Sequence, residues 1–227
     1  MTIWVTRTQP GADETARRLA DLGLEALVDP VLEVRALDAE IDLESADALV
    51  FTSPNGVRVF AEASGRRDLP VFAVGEATAA ALAQAGFRDV RSADGDVKAL
   101  ARLLIEARSG PALHLGPRRP AGDLVGLAAA GGVPVVSLPI YETVEMEPAR
   151  ALAAGDLTHV LIHSGRAAEA VARFIPPERL AGLFVLAISE AAAAPLEGRV
   201  AAIACAPFPD EPSLLKLCAA TLSEGDT

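Results

Sequence analysis

The chain is written twice, and that repetition limits its fold more than any other feature. Val71 to Leu104 reads VFAVGEATAAALAQAGFRDVRSADGDVKALARLL, and Val185 onward reads VLAISEAAAAPLEGRVAAIACAPFPDEPSLLKLCAA. Both run apolar strand, small polar turn, Ala-rich helix, short strand, acidic turn, Leu-rich helix. A further matching unit lies upstream of each: ALVFTSPNGVRVFAEA (Ala48 to Ala63) and HVLIHSGRAAEAVARF (His159 to Phe174). The segments IWVTRTQPGADETARRLADLGLEALVDPVLEV and ALHLGPRRPAGDLVGLAAAGGVPVVSLPIYETV agree more loosely. A duplicated α/β unit makes two similar lobes, and facing lobes leave a cleft in which function is to be sought.

Each strand is short and apolar and ends in a small polar turn that opens a helix. The pattern predicts strands at Ile3–Thr6, Glu25–Val28, Ala48–Phe51, Val71–Val74 and Val90–Arg91, with Val31–Leu37 extended. Helices are expected over Ala12–Leu22, Val57–Ala63, Glu76–Ala85 and Val97–Ala107, with SPNG (Ser53–Gly56) as a turn. The same series repeats from Ala112. Alternation of β and α implies parallel sheets wound by helices, and apolar runs without alternation fit strands buried on both faces.

Such folds bind ligands beyond the carboxyl ends of their strands. The turns there are Thr6–Pro10, Thr52–Gly56, Gly75–Thr78, Gly116–Pro120, Ser164–Arg166 and Ser189–Glu190, rich in Ser, Thr, Asn, Gly and Arg. The plain alternative is that these residues only cap helices, although capped helix starts also bind anions through free amides.

The 227 residues, 51% hydrophobic and 22% charged, suffice for buried cores and are too apolar for disorder. No apolar run reaches a membrane-spanning length, and the N-terminus enters a strand directly, so a soluble cytoplasmic protein without a secretion signal is expected. The net charge of −11 is spread along the chain: residues 1–110 carry 12 Lys/Arg and 18 Asp/Glu, residues 111–227 carry 8 and 13. That acidity, with 4% aromatics, argues against a nucleic-acid groove or a base-stacking platform. Cys205 and Cys218 lack CxxC spacing and read as buried thiols. His159 and His163 sit on a strand with no ligating carboxylate or Cys in step, so no metal is expected.

Gly-rich phosphate loops, a GxSxG elbow and Ser-His-Asp spacing are all absent. An enzyme built this way works by holding a reactive substrate. Arg7 and Arg118–Arg119 occupy corresponding turns in the two repeats, and arginine forks grip carboxylates. The plain alternative is solvated turn arginines. Tyr141, the only tyrosine, lies in SLPIYETV where the first repeat has Leu32. It is either a core ring or a cleft-facing acid, and the core reading is the simpler.

VTRTQPGADETARRLADLG, ALVFTSPNGVRVF, VFAVGEATAAAL, IHSGRAAEAV and LPIYETV together resemble the uroporphyrinogen-III synthase family over nearly the whole chain. The resemblance implies two α/β lobes, each a parallel sheet wound by helices, joined by a two-stranded ladder with a cleft between. Residues 1–34 with 146–227 would form one lobe and 36–142 the other, with crossing strands at Val31–Arg35 and Tyr141–Val144. It implies cyclisation of linear hydroxymethylbilane, an octacarboxylate, with inversion of ring D and loss of water. A monomer is expected, needing neither cofactor nor metal and binding neither nucleic acid nor membrane.

By the same resemblance Tyr141 matches the tyrosine that assists hydroxide departure. Thr52, Ser53 and Asn55 match a substrate-facing turn, as do Gly75 and Thr78, while Ser164 and Gly165 match the opposing one. Thr6, Arg7, Gly116, Arg118 and Ser189 complete the expected binding set. Where many members carry Gly followed by Thr, this chain has Ser189 and Ala191–Ala192, which puts a hydroxyl contact there in doubt, and Pro195 should shorten that helix. The competing expectation is a non-catalytic two-lobed binder of a small polycarboxylate.

Overall fold

A computed structural model describes residues 2–155 and 157–223. In chain order its elements are β1 (Thr2–Val5), α1 (Gly11–Asp21), β2 (Glu25–Val28), β3 (Leu32–Ala36), β4 (Ala48–Phe51), α2 (Pro54–Ala63), β5 (Val71–Ala73), α3 (Glu76–Gln84), β6 (Val90–Ser92) and α4 (Val97–Glu106). Then come β7 (Ala112–Pro117), α5 (Leu124–Ala130), β8 (Val135–Glu145), α6 (Ala149–Ala153), β9 (Leu157–Ile162), α7 (Gly165–Phe174), α8 (Pro177–Leu180), β10 (Phe184–Ala187), α9 (Glu190–Ala193), β11 (Ala202–Cys205) and α10 (Glu211–Ser223).

The chain divides into two units, Met1–Glu33 with Val144–Thr227, and Val34–Thr143. The first contains a five-stranded sheet of order β11-β10-β9-β1-β2. The second sheet has order β3-β8-β7-β4-β5-β6. Reading β6-β5-β4-β7-β8 against β11-β10-β9-β1-β2 shows the repeat directly, since each strand stands where its counterpart does. Every pairing described among these ten strands is parallel, as expected for sheets wound by helices. β3 and β8 are sheet neighbours, and both divisions between units fall within them.

Burial follows from the strand period of two residues. In β1, Ile3 and Val5 enter one core with Leu19, Leu161 and Leu214, while Trp4 enters the other with Val160, Val171 and Val185. The indole N–H of Trp4 donates to the Asp29 carbonyl at 2.7 Å, so its polar atom is satisfied. β4 repeats the arrangement: Leu49 and Phe51 face α2 and α3 residues, and Ala48 and Val50 face Leu100, Leu104 and Leu124.

Helix starts follow capping chemistry. Asp96 Oδ1 accepts from the Ala99 N–H at 2.9 Å and opens α4, whose buried Leu100, Ala101 and Leu104 recur at helical spacing. One boundary differs from the sequence expectation: Ser53–Gly56 is not a free turn. Ser53 caps α2, and Pro54 occupies its first position, where a missing N–H costs nothing and φ suits a helix. As expected, Pro195 limits α9 to four residues followed by a 3-10 turn at Ala194–Leu196. Cys218 is fully buried, which pushes its thiol up to about 12. Cys205 is only partly buried, because β11 is an edge strand.

Candidate functional site

In the unit formed by residues 34–143, β4 runs straight into the Ser53 cap. Ser53 is extended, and its Oγ accepts the Asn55 N–H at 3.1 Å. The Gly56 and Val57 amides return to the Ser53 carbonyl at 3.1 and 3.4 Å, and Pro54 has no N–H. The start of α2 therefore has no free amide for an anion. It offers side-chain hydroxyls instead.

Tyr141 reaches this turn from β8. Its ring is 4% exposed and packs with Phe51, Phe60, Leu115 and Ile140. Burial raises the phenol above its ordinary value, and the nearby Ser53 hydroxyl offsets part of that rise. Close approach requires Gly56, because a Cβ there would stand 2.8 Å from the Leu115 carbonyl oxygen and 3.5 Å from Tyr141 Cε1. Thr52 is held from the other face of the sheet, with Oγ1 3.1 Å from His114 Nε2. His114 Nδ1 lies 2.9 Å from Ser137 Oγ. His114 is 2% exposed, and burial lowers its imidazole to about 4, so it is neutral at pH 7.

Gly75, extended, precedes α3 without a side-chain cap. The Thr78 and Ala79 amides bond the Gly75 carbonyl at 3.1 and 3.0 Å, which leaves the Glu76 and Ala77 amides unpartnered among the described residues. This helix start keeps the anion-facing donors that α2 lacks.

Arg118 is exposed, and its side chain pairs with Glu142 at 2.8 Å. Its amide donates to the Tyr141 carbonyl at 2.8 Å and so fixes the tyrosine's backbone.

In the other unit, Ser164 Oγ accepts the Ala167 N–H at 3.2 Å and opens α7, while Ser189 Oγ accepts the Ala192 N–H at 3.2 Å and opens α9. Both serines are half-buried at strand ends. Gly165 is the first residue of α7, and a Cβ there would make only ordinary contact with the Ala191 carbonyl at 3.5 Å.

Four expected binding residues are employed differently. Thr6 is fully enclosed, and its hydroxyl donates to the Leu161 carbonyl at 2.6 Å, locking β1 to β9. Thr78 is 2% exposed and faces the core side of α3. Gly116 lies inside β7 rather than in a turn; a Cβ would fall 2.5 Å from His114 Nε2, so its missing side chain makes room for the imidazole.

Arg7 donates to Glu211 at 2.7 Å and to Thr15 Oγ1 at 3.3 Å instead of presenting a free fork. Glu211 also receives Arg18 at 3.1 Å. Desolvation opposes ionisation of Glu211, but the Thr15 hydrogen bond and Arg7 outweigh it and hold the carboxyl below its ordinary value. His163, beside this cluster, has both ring nitrogens buried without a partner among the described residues, and burial followed by the Arg7 charge lowers it to about 4.

His114 is the residue that sequence reasoning passed over. A visible signal existed: a polar ring inside the apolar run ALHL, two residues before Gly116 on the same strand face.

Two α/β units thus carry polar strand-end turns, with a Ser53-capped helix start in one place and unpartnered amides after Gly75 in another. No group of three His, Cys, Asp or Glu able to hold a metal occurs among the described residues. The uroporphyrinogen-III synthase (HemD) family model matches residues 13–216, and the chain belongs to that family. Two crystal structures share the fold. A uroporphyrinogen-III synthetase from Helicobacter pylori is 17% identical with a TM-score of 0.70, over 97% of this chain and 98% of that one. A mutant uroporphyrinogen III synthase from Thermus thermophilus is 18% identical with a TM-score of 0.61, over 99% of each. No curated protein matches the chain.

Proposed function

We propose that this chain acts as a uroporphyrinogen-III synthase, a lyase that closes linear hydroxymethylbilane into uroporphyrinogen III with inversion of ring D and loss of one water. The observation that carries this reading is the family match over residues 13–216. Ring A loses hydroxide to give an azafulvene cation, and ring D attacks through its substituted carbon. The resulting spiro intermediate fragments and recloses with ring D inverted. The pyrroles supply the electrons, so the protein's part is orientation, help to the leaving hydroxyl and exclusion of direct closure.

Tyr141 is assigned the hydroxide. Ser53 already accepts from Asn55 and can give its own proton to the phenol oxygen. That leaves the Tyr141 proton for the departing group. A phenol raised above its ordinary value stays protonated throughout the neutral range, as a donor must.

Thr52 and Asn55, the amides after Gly75, Arg118, and the Ser164, Gly165 and Ser189 turns are assigned to substrate carboxylates and propionate or acetate arms. The protein is assigned a monomeric, cytoplasmic role. Adding hydroxymethylbilane to purified protein and resolving the oxidised products tests this: type III isomer supports the reading, and type I alone at the spontaneous rate overturns it.

A further inference from the structure

Thr52, His114 and Ser137 lie on the adjacent strands β4, β7 and β8, or just beyond them, on one sheet face. The register pairs Val50 with His114 and His114 with Ser137, so Thr52, two residues beyond Val50, projects to the same side. The imidazole has no room to swing elsewhere. It fills the space over Gly116, where a Cβ would be 2.5 Å from Nε2, and it is 2% exposed. A neutral ring carries one proton, so one nitrogen donates and the other accepts. Ser137 is exposed, and solvent can complete its hydrogen bonds whichever role it takes.

Thr52 differs, because its role toward the ring decides what it shows outward. If Thr52 donates to Nε2, only lone pairs face out, and these repel a carboxylate. If Nε2–H donates to Thr52 Oγ1, the hydroxyl proton is released to point outward. The turn needs that second polarity, since α2 has no free amide at its start to supply a donor in its place.

We propose that His114 is a positioning residue, held as the Nε2–H tautomer between Ser137 and Thr52, which turns the Thr52 hydroxyl into a donor for a ligand carboxylate. The ligand class rests on the proposed function; the direction of the hydrogen bond does not.

The test has two arms. In the first, ¹⁵N NMR of histidine-labelled protein at pH 7, with the ring assigned through His114→Gln, reads the tautomer. A protonated Nε2 whose signal shifts in Thr52→Val is expected; a protonated Nδ1 overturns the proposal. In the second, the two isosteres are compared by turnover of hydroxymethylbilane. Asn places its amide nitrogen where Nδ1 was and loses Thr52, while Gln places its amide nitrogen where Nε2 was and keeps a donor to Thr52.

His114→Asn and Thr52→Val should each raise KM about tenfold with kcat changed less than threefold. His114→Gln should recover most of that loss. Thermal melts identify any variant that fails to fold, and Thr52→Val, which leaves the ring in place, then carries this arm. Equal KM values across the series, or equal losses for Asn and Gln with Thr52→Val unaffected, overturn the proposal by showing that the ring merely packs. Wild-type protein yielding only type I isomer would sink the functional reading instead, and the tautomer measured without substrate still decides whether His114 donates to Thr52.

Discussion

Two buried imidazoles make acid the weak flank of this protein. His114 and His163 are each lowered by burial from 6.5 to about 4. The unfolded chain therefore binds their protons more readily than the folded one. Their folded-state contribution is complete above about pH 6.5 and is lost as pH falls toward 4, by up to about 3 kcal/mol for His114 and less for the partly accessible His163. Glu211, held below its ordinary value by Thr15 and Arg7, keeps its charge to lower pH than a free carboxyl would. Urea titrations at several pH values should show stability falling between pH 6.5 and 4, with His114→Gln flattening part of the slope; an unchanged slope would mean the ring is solvated. Tyr141 gives a second residue-scale prediction. Tyr141→Phe keeps the ring among Phe51, Phe60 and Leu115 and removes only the hydroxyl, so stability should drop by no more than about 1 kcal/mol. Its rate should fall at least about tenfold. A rate equal to wild type returns Tyr141 to a packing role. That dual reading was already open in the sequence, and burial alone does not separate the two; the rate of this variant does.

At the scale of elements, the site depends on how closely α2 lies on β7. Gly56→Ala places a Cβ 2.8 Å from the Leu115 carbonyl, a backbone atom that cannot rotate aside. The helix must lift, at a cost of about 1–3 kcal/mol. The Ser53 cap and Tyr141 contact should loosen with it, and synthase activity should fall with the melting temperature. Gly75→Ala is the control: its backbone is extended and the nearest atom to a new Cβ is 4.0 Å away, so stability should stay within about 0.5 kcal/mol. Equal melting temperatures for the two variants would refute the tight α2–β7 contact. Strands and helices were largely legible in the sequence because short apolar runs and polar strand ends are local signals. The start of α2 was misread because Ser-Pro-Asn-Gly has turn composition, whereas Pro at a first helical position behind a Ser cap satisfies the same preferences. The partners of the polar side chains were not legible. Arg7 and Glu211 are 204 residues apart, and the Thr6 hydroxyl finds a carbonyl 155 residues away. Nothing in local spacing tells a turn arginine that will grip a substrate from one already paired.

The whole molecule is organised by how the two copies of the repeat are distributed. Strands β4 to β6 of the first copy share a sheet with β7 and β8, which open the second copy, while β9 to β11 share a sheet with β1 and β2. Each sheet thus joins the opening of one copy to the remainder of the other. The repeat was readable from residue order, whereas this exchange was expected only through the family resemblance, because a parallel strand's partner is fixed by tertiary pairing across many residues. The unit of residues 34–143 is continuous in sequence. Both of its cores, one around Phe51, Phe60 and Tyr141 and the other around Val50, Leu100 and Leu104, draw their members from that stretch alone. At roughly 110 residues it falls within the size of an autonomous domain. The fragment 34–143 should therefore fold by itself, with a cooperative thermal transition and the Thr52–His114 pairing intact in its histidine NMR spectrum. The segments 2–33 and 144–223 share Trp4, Val31, Val160 and Val185 in one core, so 144–223 expressed without 2–33 should lose β1 from the middle of its sheet and fail to melt cooperatively. A non-cooperative 34–143 fragment, or a stably folded 144–223 fragment, would show that the cooperative units do not follow the two packed halves.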